Sequence, residues 1–391
     1  MSPPTFRPAA VALAATFALA APAAAQDQAL RIDVHNDLDA ARTAETVELP
    51  AALFASALGD KLLGRVRAFE EASGREVLVQ AIDLDNDLVV EMLVFQADFA
   101  PKQTKRFRLA VGERRAYRKD DFKVYGRFVR ERFDDFAWEN DRVAFRVYGE
   151  ALETWQREPL TSSAVDAWSK NTGRLVLNEW YMLDDYHHDH GEGGDFYPAG
   201  KSRGCGGSGL WRNGALVASK NFRGSRVLAA GPIRLVFELD YPAWEQGGIR
   251  ERKRVTLDAG SQLNRFESFY ETGEAGPIAW AAGTKSEKGA STRASRERGI
   301  ARSWAQPTRD GQDGWLGCGV VAEPGSPVEV LESDGNLLIV GRTAAGQPAR
   351  YYAGSGWDGA GVFKEAADWD RHLEAFAARL RSPLRVEIAK Q

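Results

Sequence analysis

The residues that could do chemistry are concentrated in one short run. Three of the five histidines in this 391-residue chain fall between positions 186 and 197, together with three carboxylates and two tyrosines. Imidazole changes its charge near neutral pH and is a common metal ligand, so such a concentration of histidines indicates proton transfer or metal binding. We call residues 186–197 the His-rich segment and expect it to carry the activity of the protein.

The spacing within this segment suggests how the groups would converge. Alternate side chains of an extended strand lie on the same face, so an extended run would place His188, His190 and Glu192 together as catalytic candidates. The glycines that follow would let the backbone bend and would return Asp195 and Tyr197 toward the same cavity. The sequence therefore predicts a site with two imidazoles, two carboxylates and a phenol.

These groups suit β-elimination from a uronic acid. That reaction needs a cation to neutralise the substrate carboxylate, a base to remove the α-proton and an acid to protonate the leaving oxygen. His188 or His190 would be the base and Tyr197 the acid, while Lys201 and Arg203 would bind the substrate carboxylate. The residues alone do not separate these roles.

A divalent cation is an alternative use of the same segment. His188, His190, Glu192 and Asp195 offer two nitrogens and two oxygens, a donor set acceptable to Zn²⁺, Mn²⁺ or Ca²⁺. No His-Glu-x-x-His motif is present, so the spacing assigns no definite cofactor. A third interpretation is a polar, glycine-rich surface turn with no chemical role.

A second group of residues suits substrate binding. Asp135, Glu139 and Asn140 could form hydrogen bonds with sugar hydroxyls, and Trp138 between them could stack on a sugar face. The alternative for this group is a turn at the edge of a strand. Trp357 follows two glycines that would let a ligand approach the backbone, so it is a further candidate. We expect an oligosaccharide as the binding partner.

Strands must position most of these residues, because the patterning has a period of two along most of the chain. Short strand-like runs dominate residues 26–115, which predicts a β-sandwich portion there, with short helices or loops at 50–58 and 62–72. We expect longer strands from residue 174 onward, beginning with 175–180, and a long exposed loop at 283–302. Near the end, residues 366–379 have helical spacing, and 384–388 form a final strand. The predicted fold is one mostly β, antiparallel domain over residues 26–391, with few short helices.

The ends of the chain and its charge indicate the compartment. Residues 1–25 have a basic residue, a short apolar run and small residues before Gln26, the pattern of a cleaved signal peptide. We therefore expect a periplasmic or secreted protein, in which Cys205 and Cys318 either form a disulfide or remain as two buried thiols. A formal net charge of −4 argues against nucleic-acid binding, and no later apolar run is long enough to span a membrane.

Several blocks in a fixed order resemble a known family. They cover residues 135–141, 186–197, 204–209, 219–222, 231–234 and 351–383. In these blocks the chain resembles an uncharacterised bacterial secreted family, known as a domain of unknown function, whose members are often encoded beside genes for pectin and uronate-polysaccharide degradation. The resemblance extends over nearly the whole mature chain and implies a galactose-mutarotase-like β-supersandwich. That fold hosts several chemistries, so it does not fix the reaction.

Three hypotheses for function follow. The leading one is a periplasmic or secreted carbohydrate-active enzyme that acts on uronate-containing, pectin-like oligosaccharides as a lyase. The second is a glycoside hydrolase or a sugar epimerase or mutarotase on the same scaffold. The third is a non-catalytic carbohydrate-binding protein in which the His-rich segment holds a structural metal. The sequence indicates no oligomeric state.

Overall fold

The computed structural model describes residues 29–389, apart from residues 63, 157–158, 243, 245–247, 275 and 309–310. The predicted signal peptide, residues 1–25, lies outside the described residues. Over the ranges that are described, no helix is both long enough and apolar enough to cross a membrane.

The described chain is built mainly from antiparallel strands. The first strands are β1 (Ala29–His35), β2 (Arg42–Pro50), β3 (Val66–Glu70), β4 (Glu76–Val77), β5 (Val79–Ile82), β6 (Met92–Phe99) and β7 (Thr104–Val111). The next are β8 (Val124–Val129), β9 (Asp135–Asn140), β10 (Ala144–Val147), β11 (Asp166–Lys170) and β12 (Gly193–Gly194). Then follow β13 (Cys205–Arg212), β14 (Ala215–Val217), β15 (Gly224–Ala230), β16 (Arg234–Tyr241), β17 (Arg250–Asp258), β18 (Leu263–Glu271) and β19 (Ile278–Lys285). The last are β20 (Ser291–Ser295), β21 (Ile300–Ala305), β22 (Leu316–Ala322), β23 (Glu329–Ser333), β24 (Asn336–Thr343), β25 (Ala349–Trp357) and β26 (Arg385–Ile388).

Helices are few and short. The α-helices are α1 (Ala51–Leu58), α2 (Leu177–Leu183) and α3 (Ala366–Arg381). Single turns of 3₁₀-helix occupy Lys119–Asp121, Arg130–Arg132, Glu150–Thr154 and Asp358–Ala360.

The first seven strands enclose a core of their own. One sheet has the order β26-β1-β7-β3-β4, and a three-stranded sheet has the order β2-β6-β5. Alternation on β1 buries Leu30, Ile32 and Val34 in this core. The final strand β26 pairs antiparallel with β1, with Ile388 opposite Ile32. The last of the described strands thus joins the sheet of the first.

The rest of the chain forms a two-layer sandwich. One layer is an eight-stranded sheet with the order β15-β16-β17-β18-β25-β22-β21-β20, which we call the large sheet. The other layer contains the middle sheet, β12-β11-β10-β9-β8, and the far sheet, β14-β13-β19-β24-β23. A parallel bridge between Val165 and Gly204 joins the middle and far sheets, and both sheets pack on the large sheet.

Aromatic packing and one covalent bond hold the layers together. The ring of Phe237 on β16 lies 4.2 Å from the ring of Phe136 and 5.0 Å from that of Trp138, both on β9. A disulfide joins Cys205 on β13 to Cys318 on β22, with their Cα atoms 5.2 Å apart. Of the two alternatives for the cysteines, the structure therefore shows the disulfide, and it crosslinks the far sheet to the large sheet.

The fold class is confirmed, with three local corrections. The predicted strand at 175–180 is wrong, because α2 occupies this stretch and the buried Glu139 carboxylate accepts hydrogen bonds from the amides of Val176 and Leu177. The predicted helix or loop at 62–72 is wrong for residues 66–70, which form β3 and pair with β7, whereas residues 64, 65, 71 and 72 are turns. The long loop at 283–302 is instead largely the hairpin of β20 and β21, whose first strand is polar because it is an exposed edge.

Candidate functional site

The outer face of the middle sheet carries an unusual set of charges. Strand alternation sends Phe136, Trp138 and Phe145 into the sandwich core and turns the neighbouring residues to the opposite face. On that face Arg146 lies directly across from Asp166 in the register of β10 and β11. Asp135, at the start of β9, points to the same face. The adjacent strands β9, β10 and β11 therefore each carry a charged residue on the face that points away from the sandwich core.

One guanidinium group holds three carboxylates together. Arg146 Nε donates to Asp166 Oδ2 at 3.0 Å, and Arg146 Nη2 lies 2.7 Å from Asp195 Oδ2. Asp135 Oδ2 is 3.6 Å from Arg146 Nη1. We call these four residues the Asp–Arg cluster. None of the four side chains is more than 6% exposed, so the charges interact with little screening by water.

Burial changes the protonation of the cluster. Loss of solvent raises the pKa of Asp135 to about 7, because the charges of Arg146 and Arg132 only partly offset the cost of ionisation. Burial also raises the pKa of Asp166, and it raises that of Asp195 well above its usual range. Three carboxyls sharing one guanidinium cannot all ionise easily. The cluster therefore combines protonated and ionised carboxyls near neutral pH.

Aromatic residues surround the charges. The Tyr148 hydroxyl donates to Asp166 Oδ2 at 2.6 Å. The guanidinium carbon of Arg146 lies 5.4 Å from the ring centroids of both Tyr148 and Trp168 and 5.7 Å from that of Tyr186. Tyr181 on α2 approaches Asp135 Oδ2 at 3.3 Å. These rings supply the low dielectric that shifts the carboxyl pKa values.

Several polar atoms around the cluster lack a hydrogen-bonding partner in the described part of the chain. They are Asp135 Oδ1, Asp166 Oδ1, the indole nitrogens of Trp168 and Trp180, and the hydroxyl of Tyr197. Buried polar atoms are nearly always paired in folded proteins, and exceptions need a functional or solvent-based explanation. Their concentration here marks a place where a bound molecule can supply partners.

The His-rich segment covers this cluster from the solvent side. The Tyr186 ring stacks on Trp168 with a centroid separation of 5.0 Å, and its hydroxyl accepts a hydrogen bond from Arg132. The amide of Asp195 donates to the Tyr186 carbonyl at 2.7 Å. His187 Nδ1 lies 2.9 Å from the Asp195 carbonyl oxygen and 3.6 Å from Asp195 Oδ2. His187, with its side chain 59% exposed, therefore connects solvent to the buried carboxyls.

The other predicted residues of the segment face away from the cluster. His188 Nδ1 lies 2.5 Å from Asp185 Oδ1, and His190 Nε2 lies 3.2 Å from Asp185 Oδ2. Glu192 instead lies 3.4 Å from Arg174. The prediction of an extended run was wrong, because residues 184–192 form turns and Gly191 has a φ of 110°. The four metal ligands proposed from the sequence consequently point to different partners and do not converge.

Asp195 and Tyr197 behave differently from the histidines. Both are buried, and the Asp195 carboxyl belongs to the Asp–Arg cluster. Burial raises the pKa of Tyr197 well above its usual range, and the nearby charge of Asp166 adds to the effect. Lys285 Nζ lies 5.9 Å from the Tyr197 ring centroid. These two residues are the part of the predicted site that the structure brings to the buried carboxyls.

The two cations predicted to bind a substrate carboxylate lie in different environments. Lys201 is exposed. Arg203 is buried, and its Nη1 donates to Ser163 Oγ at 3.0 Å and to the Ser208 carbonyl at 3.5 Å. Burial lowers the pKa of Arg203. The backbone of Arg203 thus belongs to the junction of the middle and far sheets, and its side chain to the protein interior.

The predicted binding rim at 135–140 is a fully buried strand, β9. Trp138 Nε1 donates to Asn264 Oδ1 at 2.8 Å. Asn140 Nδ2 donates to the carbonyl of Asp258, at the end of β17, and to that of Ser261 in the loop that follows. Glu139 accepts from Lys170 Nζ at 2.6 Å as well as from the first amides of α2. Of this group, Asp135 alone joins the cluster.

Trp357 occupies an internal position at the end of β25. Its Nε1 donates to the Asp313 carbonyl at 2.7 Å, and its ring lies 5.9 Å from that of Phe196. Through Phe196 it supports the backbone that carries Asp195 and Tyr197. This contact places Trp357 behind the covering segment.

Sequence reasoning missed Arg146, Tyr148, Asp166 and His187. The signal that could have found the first three is a charged or hydroxylated side chain alternating with apolar ones inside a strand, as in residues 144–148 and 166–168. A buried charge at such a position needs a partner of opposite charge. The pattern does not show which strands are neighbours, and so the pairing of Arg146 with Asp166 was not visible.

A separate acidic group lies far from the cluster in sequence. Asp83, Asp85, Asp87 and Glu91 each place a carboxylate oxygen within 4.8 Å of the others. Their side chains accept hydrogen bonds from the amides of their own loop, as at Asn86, whose amide donates to Asp83 Oδ1 at 2.7 Å. The His-rich segment contributes no residue to this group.

Comparison with known proteins identifies relatives of the chain. Residues 34–386 match the family model described as a domain of unknown function, DUF4861. "Uncharacterized protein P7" of Formosa agariphila is 31% identical over 379 residues, covering 91% of this chain and 93% of that protein. The match to the family model thus extends over nearly all of the described chain.

Two solved structures align with most of this chain at low sequence identity. One is an alpha-mannosidase from Enterococcus faecalis V583, 11% identical, with a TM-score of 0.46 and coverage of 93% of this chain and 46% of the mannosidase. The other is a glycosyl hydrolase family 38 protein from Enterococcus faecalis, also 11% identical, with a TM-score of 0.48 and coverage of 93% and 48%. The chain spans about half the length of each of these proteins.

Proposed function

We propose that this chain, which belongs to the DUF4861 family, is a carbohydrate-active enzyme that cleaves glycosidic bonds in oligosaccharides at the Asp–Arg cluster. The observation that carries the proposal is the set of three buried aspartates on one arginine, one of which has a pKa raised to about 7 by burial. Glycoside hydrolysis needs one protonated and one ionised carboxyl beside the scissile bond. The cluster supplies both forms at neutral pH.

The hydrogen bonds divide the roles within the cluster. Burial raises the pKa of Asp166, but Asp166 accepts from Arg146 Nε and from the Tyr148 hydroxyl, and these donors act in the opposite direction by favouring the ionised form. We assign Asp166 as the base or nucleophile. Asp195, whose pKa burial raises well above its usual range, is assigned as the proton donor. His187 contacts Asp195 from the solvent side and can return the proton after turnover.

The surroundings suit a sugar. The rings of Trp168, Tyr148 and Tyr186 pack around Arg146 beside the carboxyls. The indole and carboxyl atoms that have no partner among the described residues can form hydrogen bonds with hydroxyl groups. Aromatic stacking combined with a few polar contacts is the usual basis of small-molecule recognition. The substrate would enter where the exposed turns of the His-rich segment cover the cluster.

Elimination from a uronate is the second candidate. Tyr148, His187 and Arg146 are groups that lyase chemistry can use as acid, base and carboxylate neutraliser. The charge balance favours hydrolysis, because Arg146 already faces three carboxylates and offers little attraction to a fourth. The choice of a pectin-like substrate remains a prediction from the sequence. So do the periplasmic or secreted location, which the disulfide supports, and the single supersandwich domain.

The test compares two products from one incubation. Purified full-length protein is incubated with neutral and uronate-containing oligosaccharides, and both reducing ends and the ultraviolet band of unsaturated uronates are recorded. We expect reducing ends without the ultraviolet band. Growth of the band together with the reducing ends would instead establish elimination.

Variants then assign the activity to the cluster. Asp166→Asn and Asp195→Asn should each lower kcat by about 10²-fold or more, because each removes a proton-transfer group. Asp185→Asn is the matched control, since this exposed aspartate contacts His188 and His190 outside the cluster. Equal activity of all three variants, with unchanged circular dichroism, would refute the assignment.

A further inference from the structure

A cavity outside the Asp–Arg cluster shares no lining residue with it. It has a volume of about 530 Å³ and is enclosed by β2, by the outer face of the large sheet and by α3. Its walls come from the first strands, the sandwich and the C-terminal helix, so it exists only where these parts meet. We call it the junction cavity. Its volume falls in the range of small-ligand sites.

The wall of the junction cavity contains polar atoms without hydrogen-bonding partners among the described residues. Three of its polar atoms have no hydrogen-bonding partner among the described residues: Thr256 Oγ1, Arg265 Nε and Glu323 Oε2. Thr256 is only 5% exposed. Arg265 Nε has a distant ion-pair contact, 3.7 Å from Glu267 Oε2. The three atoms are a donor, an acceptor and a hydroxyl that can be either, which is the complement of a ligand with several hydroxyl groups.

The charges around the cavity are otherwise paired. Arg234 lies 2.6 Å from both Glu48 Oε1 and Asp258 Oδ1, and Arg379 lies 3.5 Å from Glu45 Oε2. Each cation therefore has its own carboxylate. A strongly charged ligand would have to break these pairs, which is costly. The balance favours a neutral ligand.

An aromatic corner completes the wall. Tyr352 and Phe376 both line the cavity, and their rings meet edge to face at 5.3 Å. Sugar rings present C–H groups that pack on such surfaces while their hydroxyls form hydrogen bonds elsewhere. We propose that the junction cavity is a non-catalytic binding site for a neutral oligosaccharide, with Thr256, Arg265 and Glu323 as its hydrogen-bonding residues.

Binding is tested directly on the full-length chain. Cellobiose, mannobiose and galactobiose are titrated by calorimetry, and digalacturonate serves as the anionic comparison. The same titrations with the Asp166→Asn chain separate binding at this site from turnover at the cluster. We expect at least one neutral disaccharide to bind both chains equally, and digalacturonate to bind more weakly.

Substitutions locate that binding. Thr256→Val keeps the side-chain volume and should weaken the disaccharide by about three- to tenfold, since it removes one neutral hydrogen bond. Glu323→Gln, which removes a charged acceptor, should weaken it by about tenfold or more. Thr284→Val is the matched control, because Thr284 is equally buried, has an unpaired hydroxyl and lies on β19 outside the cavity.

The outcomes are decisive either way. Weaker binding by the Thr256 and Glu323 variants but not by the Thr284 variant, with melting temperatures unchanged, supports the proposal. Absence of binding by the wild-type chain overturns it, as does binding that none of the cavity variants alters. Tighter binding of digalacturonate than of every neutral disaccharide overturns the neutral ligand class.

Discussion

The raised pKa of Asp135 has a consequence for stability that can be measured without knowing the substrate. Burial raises the pKa of this carboxyl from 3.8 to about 7. The folded protein therefore keeps a proton on Asp135 at pH values where the unfolded chain has lost it. Stability from this group is fully present below about pH 3.8 and is lost as the pH rises through about 7.

The size of the effect follows from the shift. At about 1.4 kcal/mol per pKa unit, a rise from 3.8 to about 7 corresponds to about 4 kcal/mol, of which about 3 kcal/mol should appear between pH 5 and pH 8. Asn has nearly the same shape and does not titrate. As the pH rises from 5 to 8, the free energy of unfolding of Asp135→Asn should therefore increase by about 3 kcal/mol relative to that of the wild-type protein.

The assay is urea unfolding of both proteins at several pH values. Asp258→Asn is the control, because the Asp258 side chain is partly buried, with 18% of it exposed, and accepts two hydrogen bonds from Arg234 at 2.6 and 2.7 Å. At Asp258, burial acts to raise the pKa, and the charge and hydrogen bonds of Arg234 outweigh it, so the pKa is lowered. The stabilisation that ionised Asp258 gives to the folded protein is lost only at acidic pH. The Asp258→Asn variant should therefore be destabilised by a nearly constant amount from pH 5 to 8. An Asp135→Asn profile as flat as that of the control would falsify the account of the cluster.

Three further predictions concern the surroundings of the site. The double variant His188→Ala/His190→Ala should keep its activity and fold, as read by reducing-end release and circular dichroism, because both side chains are exposed and face Asp185. Reduction of the Cys205–Cys318 disulfide should lower the free energy of unfolding by about 5 kcal/mol in urea titrations, because the bridge closes a sequence separation of 113 residues. Lys170→Met should cost about 3–5 kcal/mol in the same assay, because it leaves a buried carboxylate without its cation.

Much of the fold was visible in the sequence because strand alternation is a local signal. The runs that became β1 and β7 alternate between buried and more exposed positions, and the C-terminal helix has a clear apolar stripe. Residues 175–180 misled the prediction, because their apolar spacing over so short a stretch suits a strand as well as a helix. The capping by Glu139, 37 residues before Val176 in the chain, decided the outcome. Such a tertiary contact cannot be predicted from the sequence pattern of residues 175–180 alone.

The site was visible only in part for a similar reason. Composition drew attention to the His-rich segment, and the structure does place that segment over the buried carboxyls. His188 and His190, the histidines predicted to be catalytic, contact Asp185 and not the cluster. Arg146, in contrast, is one ordinary arginine among many in the sequence. Its role depends on which strands are adjacent, and a single sequence does not provide that pairing.

Stability and activity should respond in opposite directions at the cluster. If the carboxyls served only to hold the middle sheet together, neutral replacements would remove favourable pairs with Arg146 and destabilise the protein at every pH. Burial has instead raised the pKa of Asp135, Asp166 and Asp195, which means that their ionised forms are costly to the folded state. Retaining costly groups in a fold is the pattern expected of a functional site. An Asn variant that gains stability at pH 8 while losing activity therefore identifies a group kept for chemistry.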